Sequence, residues 1–250
     1  MNNDFNEIIN LFKKINERGY IKGKNNNLLN SCGLTFESLL NKKADSMFFP
    51  DYKNIEIKCK QRYSRYDISL FTISFDGPYL FESNYLLETY GIENTKYNNQ
   101  KELFINFKFK EKVLVGNFYF ELDLNYKEEM VVINIYDLEL NFIEKRGFIY
   151  FKSLEERIRI KLNKLVLVYA GKKKIYQHLY FRYYKIVCLN YKGFNKLLEL
   201  IEKDIIKITL MSRFSKSINA LGKTKNKNMI FKISDKNICE LYSKEYEYEN

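Results

Sequence analysis

From Leu103 to Leu138 apolar residues fall on alternate positions, and this run limits the fold more than any other feature. Ile105, Phe107 and Phe109 alternate with Asn106, Lys108 and Lys110, while Phe118, Phe120, Leu122 and Leu124 alternate with Tyr119, Glu121, Asp123 and Asn125. A period of two is the signature of strands with one buried and one wet face. Val131 to Tyr136 makes a third run, so the region is expected to form an antiparallel meander.

Helical spacing appears elsewhere. Phe5, Ile8, Ile9, Leu11, Phe12 and Ile15 predict an amphipathic helix ending near Gly19. A short helix is expected after Gly33, with Phe36, Leu39 and Leu40 buried and Glu37 at the edge of that stripe. Ser153 and Glu156 fit a capping box opening a helix to about Asn163. Phe194, Leu197, Leu198 and Ile201 mark another, and Ile238, Leu241 and Tyr242 fit a closing one. Strands are expected at residues 68–74, 164–170, 175–189, 205–211 and 229–233. Gly23 to Asn30, Asp76-Gly77-Pro78, Gly171-Lys172-Lys173-Lys174 and Phe214 to Asn228 read as loops or turns, and the acidic tail beyond Ser243 as frayed. The expected class is mixed α/β (α+β), without internal repeats.

At 250 residues the chain is long enough for a substantial core in one or two domains. Forty-two basic against 31 acidic residues give a net charge of +11. Such a surface suits a polyanionic partner such as nucleic acid, through counterion release, and also fits simple solubility. Cys32, Cys59, Cys188 and Cys239 form no C-x-x-C pair, which argues against a zinc site or a disulfide framework. The first nineteen residues lack a signal peptide's apolar run, and no stretch is long enough to span a bilayer. A soluble cytoplasmic protein is expected.

The chemistry concentrates in Phe49-Pro50-Asp51-Tyr52-Lys53-Asn54-Ile55-Glu56-Ile57-Lys58. It reads as a turn bearing one acid, then a strand bearing a second acid and a lysine. Ile55, Ile57 and Cys59 share one strand face, while Glu56, Lys58 and Lys60 share the other, with Glu56 and Lys58 about 6.6 Å apart at Cα. Asp51 and Glu56, with the backbone carbonyl of Ile57, supply hard oxygen ligands of the kind magnesium prefers. Lys58 can orient or deprotonate an attacking water and offset charge on phosphorus. Glu37 can steer Lys58 or help hold a second metal. This is the PD-(D/E)xK nuclease pattern; a solvated strand face carrying an ion pair fits the same residues.

Other candidates have two readings each. Lys60, Arg62, Arg65, Lys172 and Lys173 are candidate DNA contacts or solvated charges. His178, the only histidine, reads as structural or as a phosphate contact. Tyr176, Tyr180, Phe181, Tyr183 and Tyr184 can stack on bases or fill a core. Arg213, at a strand end, can contact guanine or form a surface ion pair.

Two blocks of sequence resemble the MvaI/BcnI family of type II restriction endonucleases, relatives of the MutH-like nucleases. Cys32-Gly33-Leu34-Thr35-Phe36-Glu37-Ser38-Leu39-Leu40, Pro50 to Lys58 and Leu70-Phe71-Thr72 are similar, in order and spacing, to that family's G-x-T-hydrophobic-E-x-L-L, PD-x4-E-hydrophobic-K and L-F-(T/S) elements. Gly193-Phe194, Leu197 to Ile201, Ile206 to Arg213 and Phe231-Lys232-Ile233 resemble its recognition region less closely. The resemblance implies a PD-(D/E)xK (MutH-like) core with a mixed sheet flanked by helices, plus a smaller DNA-recognition lobe, with DNA in the cleft. The expected boundary gives a catalytic lobe at residues 1–163 and a recognition lobe at 164–250.

It also implies a monomer that uses Mg2+ (Mn2+ substituting) to cut double-stranded DNA at a short GC-rich site, with a cognate DNA methyltransferase as genetic partner. Glu37, Asp51, Glu56 and Lys58 fall on catalytic positions, and Arg213 on a base-reading arginine. The family's F-R-I appears as Phe231-Lys232-Ile233, and Lys227-Asn228 stands where His-Gly is expected. Lysine lacks the planar fork of arginine, so base preference can differ. In MutH-type nickases six residues separate the first acid from E-x-K, whereas Asp51 and Glu56 enclose four, favouring the restriction group. Strand nicking, or DNA binding by a vestigial nuclease core, are the alternatives.

Overall fold

The computed structural model describes residues 3–25, 31–40, 49–76, 82–95, 100–213 and 228–250. In chain order its elements are α1 (Asn3–Glu17), β1 (Ile21–Lys22), α2 (Ser31–Leu39), β2 (Ile55–Gln61), β3 (Ile68–Ile73), α3 (Glu82–Tyr90) and β4 (Ile92–Asn94). Then come β5 (Gln100–Phe107), β6 (Lys112–Val115), β7 (Phe118–Asn125), β8 (Met130–Tyr136), β9 (Phe142–Tyr150) and α4 (Phe151–Lys161). The last are β10 (Lys164–Ile175), β11 (His178–Tyr191), α5 (Phe194–Glu202), β12 (Ile206–Arg213), β13 (Asn228–Ile233), α6 (Ile238–Leu241) and β14 (Tyr242–Glu249). The mixed α/β class expected from the sequence is what the chain adopts.

Two compact units are each assembled from separated segments. One comprises Met1–Ile68, Ile158–Gly193 and Lys236–Asn250; the other comprises Ser69–Arg157 and Phe194–Asp235. The expected lobes divide at a single boundary after residue 163, whereas these units interleave. The reason is strand pairing: β10, the first strand beyond that boundary, runs parallel to β2 and joins its sheet.

The first unit is built on a sheet in the order β1-β11-β10-β2, with β14 also on β11. Only β10 and β2 pair in parallel; the other pairs are antiparallel. Leu165, Val166, Leu167 and Val168 of β10 are all fully buried, so this strand is apolar without alternation, as expected when both faces are covered. One face packs with α1 and α2: Phe5, Ile8, Phe12 and Phe36 join Ile57, Val166, Val168 and Ile186 in one core. The stripe on α1 recurs at helical spacing, and burying each such side chain contributes about 1.5–3 kcal/mol.

The second unit holds a sheet in the order β3-β13-β12-β5-β4 and an antiparallel meander β6-β7-β8-β9. The expected meander therefore starts later and runs further. β5 leaves it to pair with β12 and β4, because alternation sets which face of a strand is buried and not which strand lies beside it.

Other differences are local. The helix α4 begins at Phe151, whose amide donates to Glu129 O at 2.7 Å, so Ser153 lies inside the helix rather than capping it. Gly171 to Lys174 is not a turn but the far end of β10; the reversal comes at Tyr176 and Gln177, with Tyr176 at φ +51°. Tyr242 begins β14 instead of closing a helix. The tail beyond Ser243 is not frayed but paired along β11 from Leu189 to Lys185. The loops expected within residues 26–30, 77–78 and 214–227 lie outside the described residues. Among the described residues no helix is long and apolar enough to cross a membrane.

Candidate active site

Among the described residues β2 is an edge strand of the first unit's sheet, and no described strand pairs with its outward amides. The segment before it fills that role. Tyr52 and Ile55 exchange backbone hydrogen bonds of 2.9 and 2.8 Å around a tight reversal in which Lys53 takes φ +52°. The fold-back carries Asp51 alongside the strand, where its Oδ2 accepts the Ile57 amide at 3.0 Å. The Tyr52 hydroxyl and the Lys53 ammonium both bond to Glu7, which ties the reversal to α1.

On the strand itself, Glu56 is 1% exposed. Its Oε1 accepts from Lys58 Nζ at 2.5 Å and lies 3.5 Å from Lys161 Nζ, whereas its Oε2 is buried with no hydrogen-bond partner. Burial, chiefly, raises the carboxyl above its ordinary value, and the negative charge of Asp51 adds to this. Lys58 and Lys161 pull it back. Lys161 reaches this point through topology. The last turn of α4 ends just ahead of β10, and β10 starts with Lys164 beside Ile55. Nothing in the local spacing singles Lys161 out; its place with Arg159 in a basic last turn is the nearest signal.

Glu37 comes from α2. Its Oε1 lies over Gly33, where an added Cβ would sit 3.6 Å away. The Cys59 thiol of β2 is pushed up, first by a hydrogen bond with Cys32 and by burial, and further by the charges of Glu37 and Asp51. Both acids are therefore within electrostatic reach of the same strand. The first unit thus carries Asp51, Glu56 and Lys58 on and beside β2, with Glu37 on α2.

The expected nucleic-acid contacts separate. Lys60 is 9% exposed and donates to Tyr66 O at 3.1 Å, so it supports the turn after β2 instead of presenting its ammonium to solvent. Arg62 and Arg65 in that turn are exposed, with the Arg62 guanidinium 5.2 and 5.5 Å from the Tyr63 and Tyr184 rings. Lys172 and Lys173 are exposed near the end of β10. In the second unit, Arg213 ends β12 opposite Glu102 of β5. Lys232 of β13 donates to Thr209 Oγ1 at 3.0 Å, and Thr209 donates to Asn106 Oδ1 at 2.9 Å. Phe181 and Tyr183 are core, Tyr180 and Tyr184 half-buried, and Tyr176 and His178 exposed.

Among the described residues no cluster of three or more His, Cys, Asp or Glu side chains forms a ready metal cage. The donors present nevertheless fit a hard divalent cation. Asp51, Glu56 and the Ile57 carbonyl offer hard oxygen donors, and the buried Glu56 Oε2 is an acceptor that a cation would satisfy.

A mixed sheet backed by helices, with an aspartate on the turn before an edge strand that reads acid–x–lysine, is the core of a PD-(D/E)xK nuclease. The model of the MvaI/BcnI restriction endonuclease family matches residues 9–242, and the chain belongs to that family of site-specific deoxyribonucleases. Among solved structures it is similar to the restriction endonuclease MvaI in complex with cognate DNA, at a TM-score of 0.87 and 23% identity over 98% of both chains. It is also similar to MvaI in the absence of DNA, at 0.63 and 23% over 98% of both chains. No curated protein sequence matches it. The expected family, fold class and enzyme class thus hold: the protein is a type II site-specific DNA endonuclease.

Proposed function

We propose that the protein hydrolyses both strands of duplex DNA at a short GC-rich site in a magnesium-dependent reaction, with Asp51, Glu56, Lys58 and Glu37 at the cleavage site. One observation carries this reading: a fully buried glutamate with one oxygen held by lysines and the other without a partner, beside a second acid tied to the same strand. A buried carboxylate with an unsatisfied oxygen is costly unless a ligand completes it.

Asp51, Glu56 and the carbonyl of Ile57 would hold the cation. Magnesium, or manganese in its place, supplies there a lowered pKa for water and a positive charge against the phosphate. Lys58, 25% exposed at its side chain, can turn from Glu56 to orient the attacking water and to offset charge building on phosphorus. Glu37 steers that lysine from α2 or helps hold a second cation. Arg62, Arg65, Lys172 and Lys173 offer charges to the phosphate backbone, and Lys60 braces the turn that displays the two arginines. Arg213 and Lys232 read bases; a guanidinium matches the O6 and N7 acceptors of guanine, which suits a GC-rich site. The first unit is the catalytic lobe and the second the recognition lobe. The protein acts as a cytoplasmic monomer, and a cognate methyltransferase protects host DNA.

Plasmid incubated with purified protein, with and without magnesium, tests the reading. Discrete linear fragments in magnesium only are expected. Relaxed circles without linear product would make it a MutH-like nickase, and no product in any divalent metal would leave a DNA-binding protein with a vestigial core.

A further inference from the structure

Glu56 has two lysines on one oxygen, and the cleavage mechanism above uses only one of them. Lys58 approaches from two positions along β2, whereas Lys161 arrives from the end of α4, 3.5 Å from the same Oε1 and with only 16% of its side chain exposed. When Lys58 turns to water and phosphate, Glu56 Oε1 would lose its nearer partner even with a cation on Oε2, and Lys161 is the cation that remains beside it. Removing one partner of a buried ion pair is strongly destabilising, and outer partners orient the ligands of a metal. Lys161 is held in reach by the direct passage from α4 into β10, the strand paired with β2.

We propose that Lys161 is a positioning residue for DNA cleavage: it keeps Glu56 Oε1 partnered and oriented while Lys58 leaves it to act on the scissile phosphate. This rests on the nuclease reading of Asp51, Glu56 and Lys58. In this role Lys161 acts through Glu56 and not on water or phosphate, so it supports the rate of cleavage and not the affinity for DNA.

The test compares Lys161→Met and Lys161→Arg in the full chain on plasmid and on a cleaved-site duplex, with Asp51→Ala alongside. Cognate affinity is measured with calcium replacing magnesium, and folding by thermal melting. Loss of an outer partner of a metal ligand typically costs 10- to 100-fold, so the single-turnover rate of Lys161→Met should fall by about that factor. Its DNA affinity should stay within about twofold, and Lys161→Arg, which keeps the charge, should recover most of the rate. Wild-type cleavage by Lys161→Met overturns the proposal. So does an affinity loss equal to the rate loss, which would make Lys161 a phosphate contact. A large drop in melting temperature without rescue by arginine would overturn it as well, by making the residue structural. Wild-type cleavage by Asp51→Ala would instead sink the nuclease reading itself, whatever Lys161 does.

Discussion

The Ile57 amide donates to Asp51 Oδ2 at 3.0 Å, so the acid of the turn is held against the strand that carries the other acid and the lysine. That bond joins a structural task to a chemical one in a single carboxylate. The two can be separated.

Asparagine at position 51 keeps an oxygen acceptor for the Ile57 amide but loses the charge. Asp51→Asn should therefore melt close to wild type, while Asp51→Ala should lose about 1 kcal/mol with the hydrogen bond. Both should cleave at least about 100-fold more slowly, because charge stabilisation by a bound metal is worth several kcal/mol. Paired melting curves and single-turnover assays check this; an active Asp51→Asn would show that the carboxylate serves only the turn.

Arg213 ends β12 opposite Glu102 of β5. If it reads a base, Arg213→Ala should cost about 1–3 kcal/mol on cognate DNA and much less on random sequence. Competition binding with both duplexes measures the difference. Equal losses would reassign Arg213 to the phosphate backbone.

Gly147 sits at φ +66° in β9, and its amide donates to Glu82 Oε1 at 2.9 Å. A Cβ there would come within 2.8 Å of Ile133 Cδ1 and 2.9 Å of Phe75 Cε1. Gly147→Ala combines left-handed backbone strain with overpacking, and should lower stability by about 1–3 kcal/mol. Chemical denaturation gives the value, and an unchanged midpoint would contradict the geometry.

The hold of β14 on the sheet should depend on pH. Glu247 bonds to Lys185 of β11 and to Lys244, and these contacts hold its carboxyl below the usual range, Lys185 foremost. Because the folded value is depressed, this stabilisation is fully present above the unfolded value of about 4.3 and is lost as pH falls through the folded one. Protection factors for the β14 amides should drop across that window. Glu247→Gln should flatten the drop, and a pH-independent protection in the wild type would refute the assignment.

How much of this was readable from the residues varies with the range of the interaction. The stripe on α1, the alternation of β7 and the acid–x–lysine face of β2 follow from helical and strand geometry, which acts over a few residues. The turn after Asp51 could be read as a turn, yet its bond to Ile57 depended on β2 being an edge strand, which no local pattern reveals. Ser153 and Glu156 had the spacing of a helix start, but the helix begins at Phe151, directly after β9 ends at Tyr150. Gly171 to Lys174 have the composition of a turn, but the twelve residues of β10 pair with β11, across a bulge at Tyr169 and Ala170, out to Ile175.

The sequence by itself determined which residues share a face, where charge would collect, and that Asp51, Glu56 and Lys58 would stand near one another, because periodicity and short spacing set these directly. The tertiary structure alone decided the company they keep. It placed β10 beside β2, Lys161 against Glu56, β5 in a sheet with β12, and β14 along β11. Partners separated by dozens of residues or more are selected by what can be buried together, and a strand's own pattern names its buried face but not the neighbour that covers its edge.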